Sequence, residues 1–448
     1  MNRSEAFSNN KFYIEIIVIL ALVVDLFIKM LPVIPIGIII LVYLAVRCNK
    51  WERVFMFLMY YPWVVGYVLG AVGYSGLGGW FKVIAVIMVI YMIATNQKPM
   101  RNAWRAILPF GLLMIFFSVS VLLTTGGDYS LKKLSNTFID GSLAIIAFLI
   151  FFTKQREFDV FKMGVFYILI SALLLRMSLF TDNISGPSKF LDFGFLRIQQ
   201  DIFDTDSFHI GYQNIGFVCV QGLAFYLMTL KTNIDVNRII IPLLGALIIL
   251  YCGSRQAILS VFIIFILWFI QLRNKKNNAG IRTVVIVGGL VLMSLLMQIL
   301  VSDDGVLYSV ASEGYVEGGS RGLHLMRGIE LFEQNPVFGV GFGRFDMWGE
   351  YGVYPHNIIV EILAEMGIVG LVLIFVLLLN CIFKNRKAFM FILFLFMALF
   401  LRSMASGGLD SNIILFSLLF AMPAFKMDIS PYMVIPTMKR HVDLNGKN

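Results

Sequence analysis

Residues 357–382 read NIIVEILAEMGIVGLVLIFVLLLNCI, an apolar run long enough for a helix that crosses a membrane. Similar runs recur along the 448-residue chain, which is 59% hydrophobic, 14% charged and has a mean hydropathy of +0.84. A soluble protein of this size does not have such a composition. The sequence therefore predicts a polytopic α-helical membrane protein.

Working outward from this run, we expect an all-α transmembrane helix bundle of about 12–14 spans with one long, partly helical periplasmic loop. Every second loop along the chain, together with the two termini, holds the cations, and these segments contain most of the 36 Lys and Arg residues. The positive-inside rule therefore predicts that both termini are cytoplasmic. The candidate spans lie at roughly 12–29, 31–47, 54–72, 80–96, 105–123, 139–153, 160–180, 209–230, 237–252, 256–271, 283–301, 357–382, 388–403 and 410–426.

This topology divides the chain into four parts. They are an N-terminal transmembrane bundle of about 11 spans over residues 1–301, the periplasmic loop 302–356, C-terminal transmembrane helices over 357–426 and a cytoplasmic tail over 427–448. We expect shorter outer segments at 124–138, 181–208 and 253–255. The first apolar run lacks a small-residue cleavage site, so no cleavable signal peptide is predicted.

Several other kinds of site are disfavoured by the composition. Each of the four cysteines falls in or beside a span, which predicts small core side chains rather than disulfides or metal ligands. The net charge of +9 comes mostly from the Lys and Arg residues that mark the cytoplasmic loops. The sequence contains no basic cluster interleaved with aromatic residues, so a nucleic-acid partner is not predicted. The cysteines are Cys48, Cys219, Cys252 and Cys381.

The long loop differs from the rest of the chain because it is polar and rich in glycine. Within it, apolar residues at helical spacing predict a helix from about Arg321 to Glu333, capped by Ser320 and ended by Asn335-Pro336. The glycine-punctuated stretch 338–345, FGVGFGRF, follows. Glycines there allow backbone to approach backbone or a ligand closely, but the stretch lacks the context of a nucleotide-binding fingerprint.

Arginines on the outer side are not explained by topology and are candidates for an anionic ligand. Arg255 lies in a turn between two spans, and Arg321 begins the loop helix, where free backbone N–H groups also favour an anion. Any one of these arginines can equally be a surface charge or a snorkelling side chain. Other cations that topology leaves unexplained include Arg176, Arg197, Arg327, Arg344 and Arg402.

His356 begins the last long apolar run, beside these arginines. A histidine at a helix N-terminus near cations should have a depressed pKa and stay neutral, as a general base requires. The alternative is an interfacial histidine that only caps or packs, and His209 has a comparable position before another span. The outer loops show no cluster that implies a metal, and no cofactor is predicted.

The stretch SRGLHLMRGIELFEQNPVFGVGFGRF, followed by PHNIIVEILAEMGIVGLVLIF, resembles the shared region of the O-antigen ligase and O-antigen polymerase superfamily. The Gly253-Ser254-Arg255-Gln256 turn resembles the upstream Ser-Arg motif of that superfamily. The resemblance covers roughly residues 250–380. One departure is Leu325, which stands where the family often has Trp and leaves the local helix packing in doubt.

The resemblance implies a metal-independent glycosyltransferase of the bacterial inner membrane that acts at the periplasmic face. Its donor would be an undecaprenyl-diphosphate-linked glycan. His356 matches the catalytic histidine, and Arg255 and Arg321 match the arginines that contact the diphosphate. Further candidate substrate-binding residues are Arg327, Arg344, Asn357 and His209.

The acceptor is not fixed by the resemblance. An O-antigen polymerase would transfer the glycan to another lipid-linked repeat unit, which we favour, whereas a ligase would transfer it to lipid A core. Candidate protein partners are a chain-length regulator and other polysaccharide assembly proteins. A lipid-linked oligosaccharide flippase is the alternative from another class, although its expected internal repeat is missing from the sequence.

Overall fold

A computed structural model describes the fold for most of the apolar segments. Within the part that it describes, all regular secondary structure is helical, which confirms the all-α prediction. The described residues are 15–25, 33–59, 78–95, 103–124, 127–154, 158–178, 212–229, 240–252, 254–273, 320–345, 354–404 and 407–424. The predicted span 283–301 and the segments 181–208 and 427–448 lie outside them.

Residues 15–25 are helical and form α1. The helices that follow in chain order are α2 Val33–Arg47, α3 Lys50–Met59, α4 Gly78–Ala94, α5 Trp104–Leu123, α6 Asp128–Thr153, α7 Val160–Ser178, α8 Tyr212–Thr229, α9 Ile240–Cys252, α10 Arg255–Arg273, α11 Ser320–Gln334, α12 Ile358–Lys384, α13 Arg386–Ser403 and α14 Leu409–Ala421, with a 3₁₀ turn at Met422–Ala424.

Three helices, α5, α6 and α12, are long and apolar enough to cross a membrane. Several others are shorter apolar helices at positions where the sequence predicts spans. On α5, Leu108, Ile115 and Leu122 are exposed although they are large and apolar. Such a surface is typical of a helix that faces lipid, and the chain is a membrane protein.

The segment 124–138, predicted as an outer segment before the span 139–153, is helical from Asp128 onward, so α6 begins well before the predicted span. Three polar residues in this part of α6 are not solvated. Ser130, Lys133 and Thr137 are all buried. Polar residues at this spacing share one helix face, so α6 carries a polar stripe into the protein interior.

Helix α6 packs closely against α5 and α14 at Gly141. A Cβ atom at this position would lie 2.8 Å from the ring of Phe110 and 2.9 Å from Ile413. The Ser417 hydroxyl of α14 donates a hydrogen bond to the Gly141 carbonyl at 3.1 Å. Small residues allow helices to approach in this way, and a hydrogen bond across the contact adds to the packing.

The four cysteines lie in the apolar interior. Cys48, Cys219, Cys252 and Cys381 are buried and free of disulfides. The Cys219 thiol donates to the carbonyl of Gly245 at 3.3 Å. The prediction that they serve as small core side chains is confirmed.

Two further ion pairs join buried charges of α1, α3 and α7. Arg176 of α7 pairs with Asp25 of α1, and Lys162 of α7 pairs with the fully buried Glu52 of α3. Because a buried charge without a partner is strongly unfavourable, both pairs have a structural explanation. Arg176, which the sequence offered as a candidate for an anionic ligand, contacts a carboxylate of the protein instead.

Candidate functional site

The loop helix predicted from sequence is present as α11, Ser320–Gln334. It ends immediately before Asn335-Pro336, as predicted. Arg321 is its second residue, so its backbone belongs to the first turn, where N–H groups lack intrahelical partners. The side chain of Arg321 lies outside the described part.

Arg255 is the first residue of α10, and the preceding helix α9 ends at Cys252. The hydroxyl of Ser254 accepts a hydrogen bond from the N–H of Ala257 at 3.4 Å and so helps to cap this helix. The predicted separation of the two helices is therefore present, although Arg255 belongs to the second helix rather than to the connection. The Arg255 side chain, like all of His209, lies outside the described residues.

The glycine-punctuated segment packs on a break in α12. At Gly367, φ is 61° and ψ is −164°, so the helix is interrupted there. The N–H groups of Val340 and Gly341 donate to the carbonyls of Ala364 and Glu365, both at 2.9 Å, and Ile368 N–H donates to the Pro336 carbonyl at 2.9 Å. The segment 336–341 thus supplies the backbone partners that the break would otherwise leave unsatisfied inside a membrane helix.

Two glycines make this contact sterically possible. A Cβ atom at Gly339 would lie 2.3 Å from the Glu365 carbonyl carbon, and one at Gly367 would lie 2.3 Å from the Val337 carbonyl oxygen. Both residues also have positive φ, which glycine adopts without penalty. The sequence predicted close approach to backbone or to a ligand, and the structure shows backbone.

The remainder of the segment is fastened to α5 and α6. The ring of Phe342 stacks on Phe117 with 4.4 Å between centroids, and its N–H donates to the Ser120 hydroxyl at 3.0 Å. The Arg344 guanidinium donates to the carbonyl of Thr124. Arg344, predicted as a candidate substrate contact, therefore has a partner within the protein.

A buried Lys-Glu-Glu trio lies beneath this segment. Lys133 Nζ of α6 is 2.5 Å from Glu361 Oε1 and 2.7 Å from Glu365 Oε1, both on α12. The three side chains are at most 1% exposed. The ammonium also lies 5.2 Å from the centroid of the Phe342 ring. The trio therefore joins α6, α12 and the glycine-punctuated segment.

Asn357 is the N-cap of α12. Its Oδ1 accepts hydrogen bonds from the N–H groups of Ile359 at 3.0 Å and Val360 at 3.2 Å. Its Nδ2 donates to the Met404 carbonyl at 3.3 Å. The polar atoms of this side chain are used in capping and in tying α12 to the end of α13, which explains the residue without a substrate.

His356, immediately before this cap, has an unusual backbone conformation. Its φ is 57°, and it is the one non-glycine residue with positive φ among those that the structure describes. For an L-residue this conformation costs about 1–2 kcal/mol. It persists only where the surroundings impose it, and such strain is concentrated at functional sites.

The imidazole of His356 contacts two other rings. The His324 ring lies parallel to it, with 5.5 Å between centroids and 7° between planes. The Tyr354 ring meets it edge-on at 4.6 Å. Burial lowers the pKa of His324 below its usual value of 6.5. The ring beside His356 is therefore neutral at neutral pH.

Helix α11 packs over the start of α12, and this contact brings the first turn of α11 near His356. A Cβ atom at Gly328 would lie 2.6 Å from Val360 and 3.2 Å from Pro355. His324, which stacks on His356, is one helical turn from Arg321. Arg327, by contrast, pairs with Glu330 on its own helix at 2.7 Å.

Further contacts place the start of α10 at the same end of the bundle. A Cβ atom at Gly216, in the first turn of α8, would lie 3.2 Å from Ser254. Asn214 of that turn accepts a hydrogen bond from Arg402 at 3.1 Å, close to Met404, which contacts Asn357. The backbones of Arg255, Arg321 and His356 are thus gathered at one end of the molecule.

Sequence reasoning did not assign roles to Lys133, Glu361, His324 or Tyr354. A usable signal existed for one of them, because Glu361 and Glu365 are four residues apart in an apolar span and so share a helix face. Nothing in the sequence indicates that Lys133 lies opposite them.

Residues 240–375 match a protein-family model described as O-Antigen ligase. This range contains Arg255, Arg321 and His356, together with the break at Gly367. A comparison with curated proteins found no match. The family match confirms the resemblance to the O-antigen ligase and O-antigen polymerase superfamily.

The fold and the family match together define a class of protein. The chain is a helical membrane protein with a region that matches the O-antigen ligase family model, and the match supports an enzymatic role in glycan processing. It also suggests a bacterial membrane as the location and lipid-linked molecules as substrates.

Proposed function

We propose that the protein is an O-antigen polymerase. It would transfer an undecaprenyl-diphosphate-linked glycan to a hydroxyl of a lipid-linked repeat unit at the periplasmic face, with inversion and without a metal. The observation that carries the proposal is His356. This residue holds the motif position that the family match covers, has a strained backbone and stacks on a second imidazole.

The donor diphosphate would bind to Arg255 and Arg321. Each residue lies in the first turn of a helix, where unpaired N–H groups also favour an anion. A guanidinium can form two parallel hydrogen bonds with phosphate oxygens. These groups would stabilise the charge that develops on the diphosphate as the anomeric carbon–oxygen bond breaks.

His356 would act as the general base. The acceptor hydroxyl oxygen attacks the anomeric carbon from the face opposite the diphosphate and forms the new glycosidic bond. The electron pair of the broken bond leaves with the diphosphate, and the hydroxyl proton passes to the His356 imidazole. A base must be neutral to do this, and the N-terminal end of α12 and nearby arginines favour the neutral form.

The direction in which the predicted spans cross the membrane supports a periplasmic site. With both termini in the cytoplasm, as the positive-inside rule predicts, the starts of α10 and α12 face the periplasm. The donor and acceptor lipids are then in the outer leaflet of the inner membrane, within reach of the loop helix.

Two observations bear on the alternative of a lipid-linked oligosaccharide flippase. Transporters often have broken helices and buried ionisable residues, and α12 has both. Here, however, the break is filled by the segment 336–341, and the carboxylates pair with Lys133. A flippase would also tolerate the loss of His356, whereas the proposed enzyme would not.

The test is surface polysaccharide profiling by gel in a deletion strain. Wild-type protein should restore the ladder of long chains, and His356→Ala should not. A single repeat unit on the lipid A core in the His356→Ala strain supports the polymerase. If no glycan is attached to the lipid A core and long lipid-linked polymer accumulates, the protein would instead be a ligase.

A matched control is His441→Ala, which changes a histidine of the predicted cytoplasmic tail and should give a wild-type ladder. An unchanged ladder with His356→Ala would overturn the assignment of the base. His209 would then be the next residue to replace.

A further inference from the structure

The proposed mechanism does not use the trio Lys133, Glu361 and Glu365, although its three side chains are buried and two of them lie in the first turns of α12. One ammonium contacts one oxygen of each carboxylate, at 2.5 Å and 2.7 Å. The second oxygens, Oε2 of Glu361 and Oε2 of Glu365, are buried without a hydrogen-bond partner among the described residues. A trio that is fully ionised would carry one excess negative charge, so neutrality requires one proton on the carboxylate pair.

Stability alone is a weak reason for such a group. Well-packed apolar residues of similar size often stabilise a protein as much as a buried ion pair or more. What apolar residues cannot provide is a fixed position, because charged hydrogen bonds have defined lengths and directions. The contacts of the trio are therefore informative about which parts of the protein it holds in place.

Glu361 connects the trio to His356. Its Oε1 accepts hydrogen bonds from Lys133 and from the N–H of Leu409, the first residue of α14, at 2.9 Å. Its own N–H donates to the Asn357 carbonyl at 2.9 Å. Asn357 caps α12, and the strained backbone of His356 comes directly before it.

Glu365 connects the trio to the break in α12. Its side chain contacts Lys133, while its carbonyl accepts a hydrogen bond from Gly341 N–H at 2.9 Å. The same segment continues to Phe342, whose ring lies under the Lys133 ammonium. Lys133 is thus the common partner of the first two turns of α12 and of the segment that closes the break.

We propose that Lys133, Glu361 and Glu365 are positioning residues for catalysis. They set the location of His356 by holding the first turns of α12 against α6 and α14, and they do not touch the substrate. This inference rests on the proposed function of His356 as the base.

The proposal predicts that the reach of the side chain matters more than its charge. Glu361→Gln keeps the length of the side chain and an oxygen acceptor but removes the charge. Glu361→Asp keeps the charge but withdraws the oxygen by one methylene from both Lys133 and Leu409. A role based on charge alone predicts the opposite order.

The experiment measures transfer by purified protein, with lipid-linked repeat units extracted from the deletion strain as the probe. In Glu361→Asp, we expect kcat to fall by about 100-fold, the loss typical of a displacement of about 1 Å. We expect the donor KM to stay within about twofold, because the donor arginines lie on other helices. Glu361→Gln should retain a kcat at least about tenfold above that of the Asp variant.

Glu365→Asp and Glu365→Gln repeat the comparison at the second carboxylate, so the test does not depend on one variant folding. Glu52→Asp is the matched structural control, since Glu52 is also a buried carboxylate paired with a lysine, but belongs to α3, which contributes no residue to the proposed site. It should lower the thermal midpoint without lowering kcat.

The proposal is overturned if the Asp variants equal or exceed the Gln variants in kcat. It is also overturned if Glu361→Asp loses only stability, as Glu52→Asp does. Failure of the underlying function looks different. If His356→Ala still transfers glycan, the base assignment is wrong, whereas an inactive His356→Ala with a wild-type rate in Glu361→Asp removes only the positioning role.

Discussion

The imidazole rings of His356 and His324 lie parallel, with 5.5 Å between their centroids. The loop helix α11 thereby brings a second ring to the residue that we propose as the base. Since burial lowers the pKa of His324, this ring is uncharged near neutral pH. When His356 takes a proton, it does so beside a neutral ring, and two adjacent positive charges are avoided.

The pairing predicts a steep loss of transfer in acid. His324 gains its proton only below its usual pKa of 6.5, and the charged ring then opposes protonation of His356 during the reaction. The rate of wild-type protein should therefore fall by more than about tenfold per pH unit on the acid side, because two protons are involved. A pH–rate profile between about pH 5 and 8 measures this.

His324→Phe keeps an aromatic ring that cannot titrate. The acid side of its pH–rate profile should be shallower, with a loss of about tenfold per pH unit at most.

The lowered pKa of His324 also affects folding, because the unfolded chain binds this proton near pH 6.5 and the folded chain only at lower pH. The contribution of His324 to stability thus falls as the pH drops below 6.5. Identical pH–rate profiles for the wild-type and His324→Phe proteins would refute the proposed effect of His324 on His356.

Arginine-to-lysine changes test the proposed diphosphate site. Arg255→Lys and Arg321→Lys keep the positive charge but lose the forked donor geometry. We expect each to reduce kcat/KM for the lipid-linked donor by at least about tenfold. Arg53→Lys, at an exposed position of α3, is the control and should leave kcat/KM unchanged. Wild-type kinetics in both test variants would remove these residues from the site.

The glycine-punctuated segment packs so closely on the break in α12 that a methyl group at either contacting glycine should destabilise the protein. Gly339→Ala and Gly367→Ala place a Cβ atom 2.3 Å from backbone atoms, at positions where φ is also positive. The strain from φ alone is about 1–2 kcal/mol, and the clash adds to it. We expect a clear drop in the thermal midpoint of purified protein.

Gly111→Ala is the control for these variants. No atom lies within 4 Å of the position of its Cβ, and alanine favours a helix interior more than glycine does. The thermal midpoint should therefore stay the same or rise. Equal midpoints in all three variants would mean that the segment does not pack on α12 as described.

Variants of Asn357 distinguish a role in capping α12 from a role in binding substrate. Asn357→Ala should lower stability by about 1 kcal/mol, the usual loss of an N-cap. Asn357→Asp should recover most of that stability, since aspartate caps helices equally well. Transfer should follow stability in both variants. An Asp variant with normal stability but no transfer would restore the original prediction that Asn357 contacts substrate.

The sequence allowed the fold class and much of the candidate site to be predicted. Apolar runs of helix length predicted the helices, and α11 begins and ends almost where its periodicity and Asn335-Pro336 indicated. The glycine spacing indicated close backbone contact. These features depend on local sequence, so one chain contains the information that they require.

The parts that could not be predicted depend on contacts between distant segments. Lys133 precedes Glu361 by 228 residues, and neither residue shows its partner in the sequence. For the same reason, nothing in the sequence of the segment 124–138 indicates that Lys133 is buried. The contact of His324 with His356 likewise depends on the packing of α11 on the start of α12, which no local sequence pattern indicates.

The central claim is that His356 is the catalytic base, and the most direct test separates binding from transfer. Wild-type and His356→Gln proteins would be purified and given lipid-linked repeat units from the deletion strain, with donor binding and product formation both measured. We predict similar donor affinity and no detectable product for His356→Gln. Product formation at the wild-type rate by His356→Gln would contradict the account.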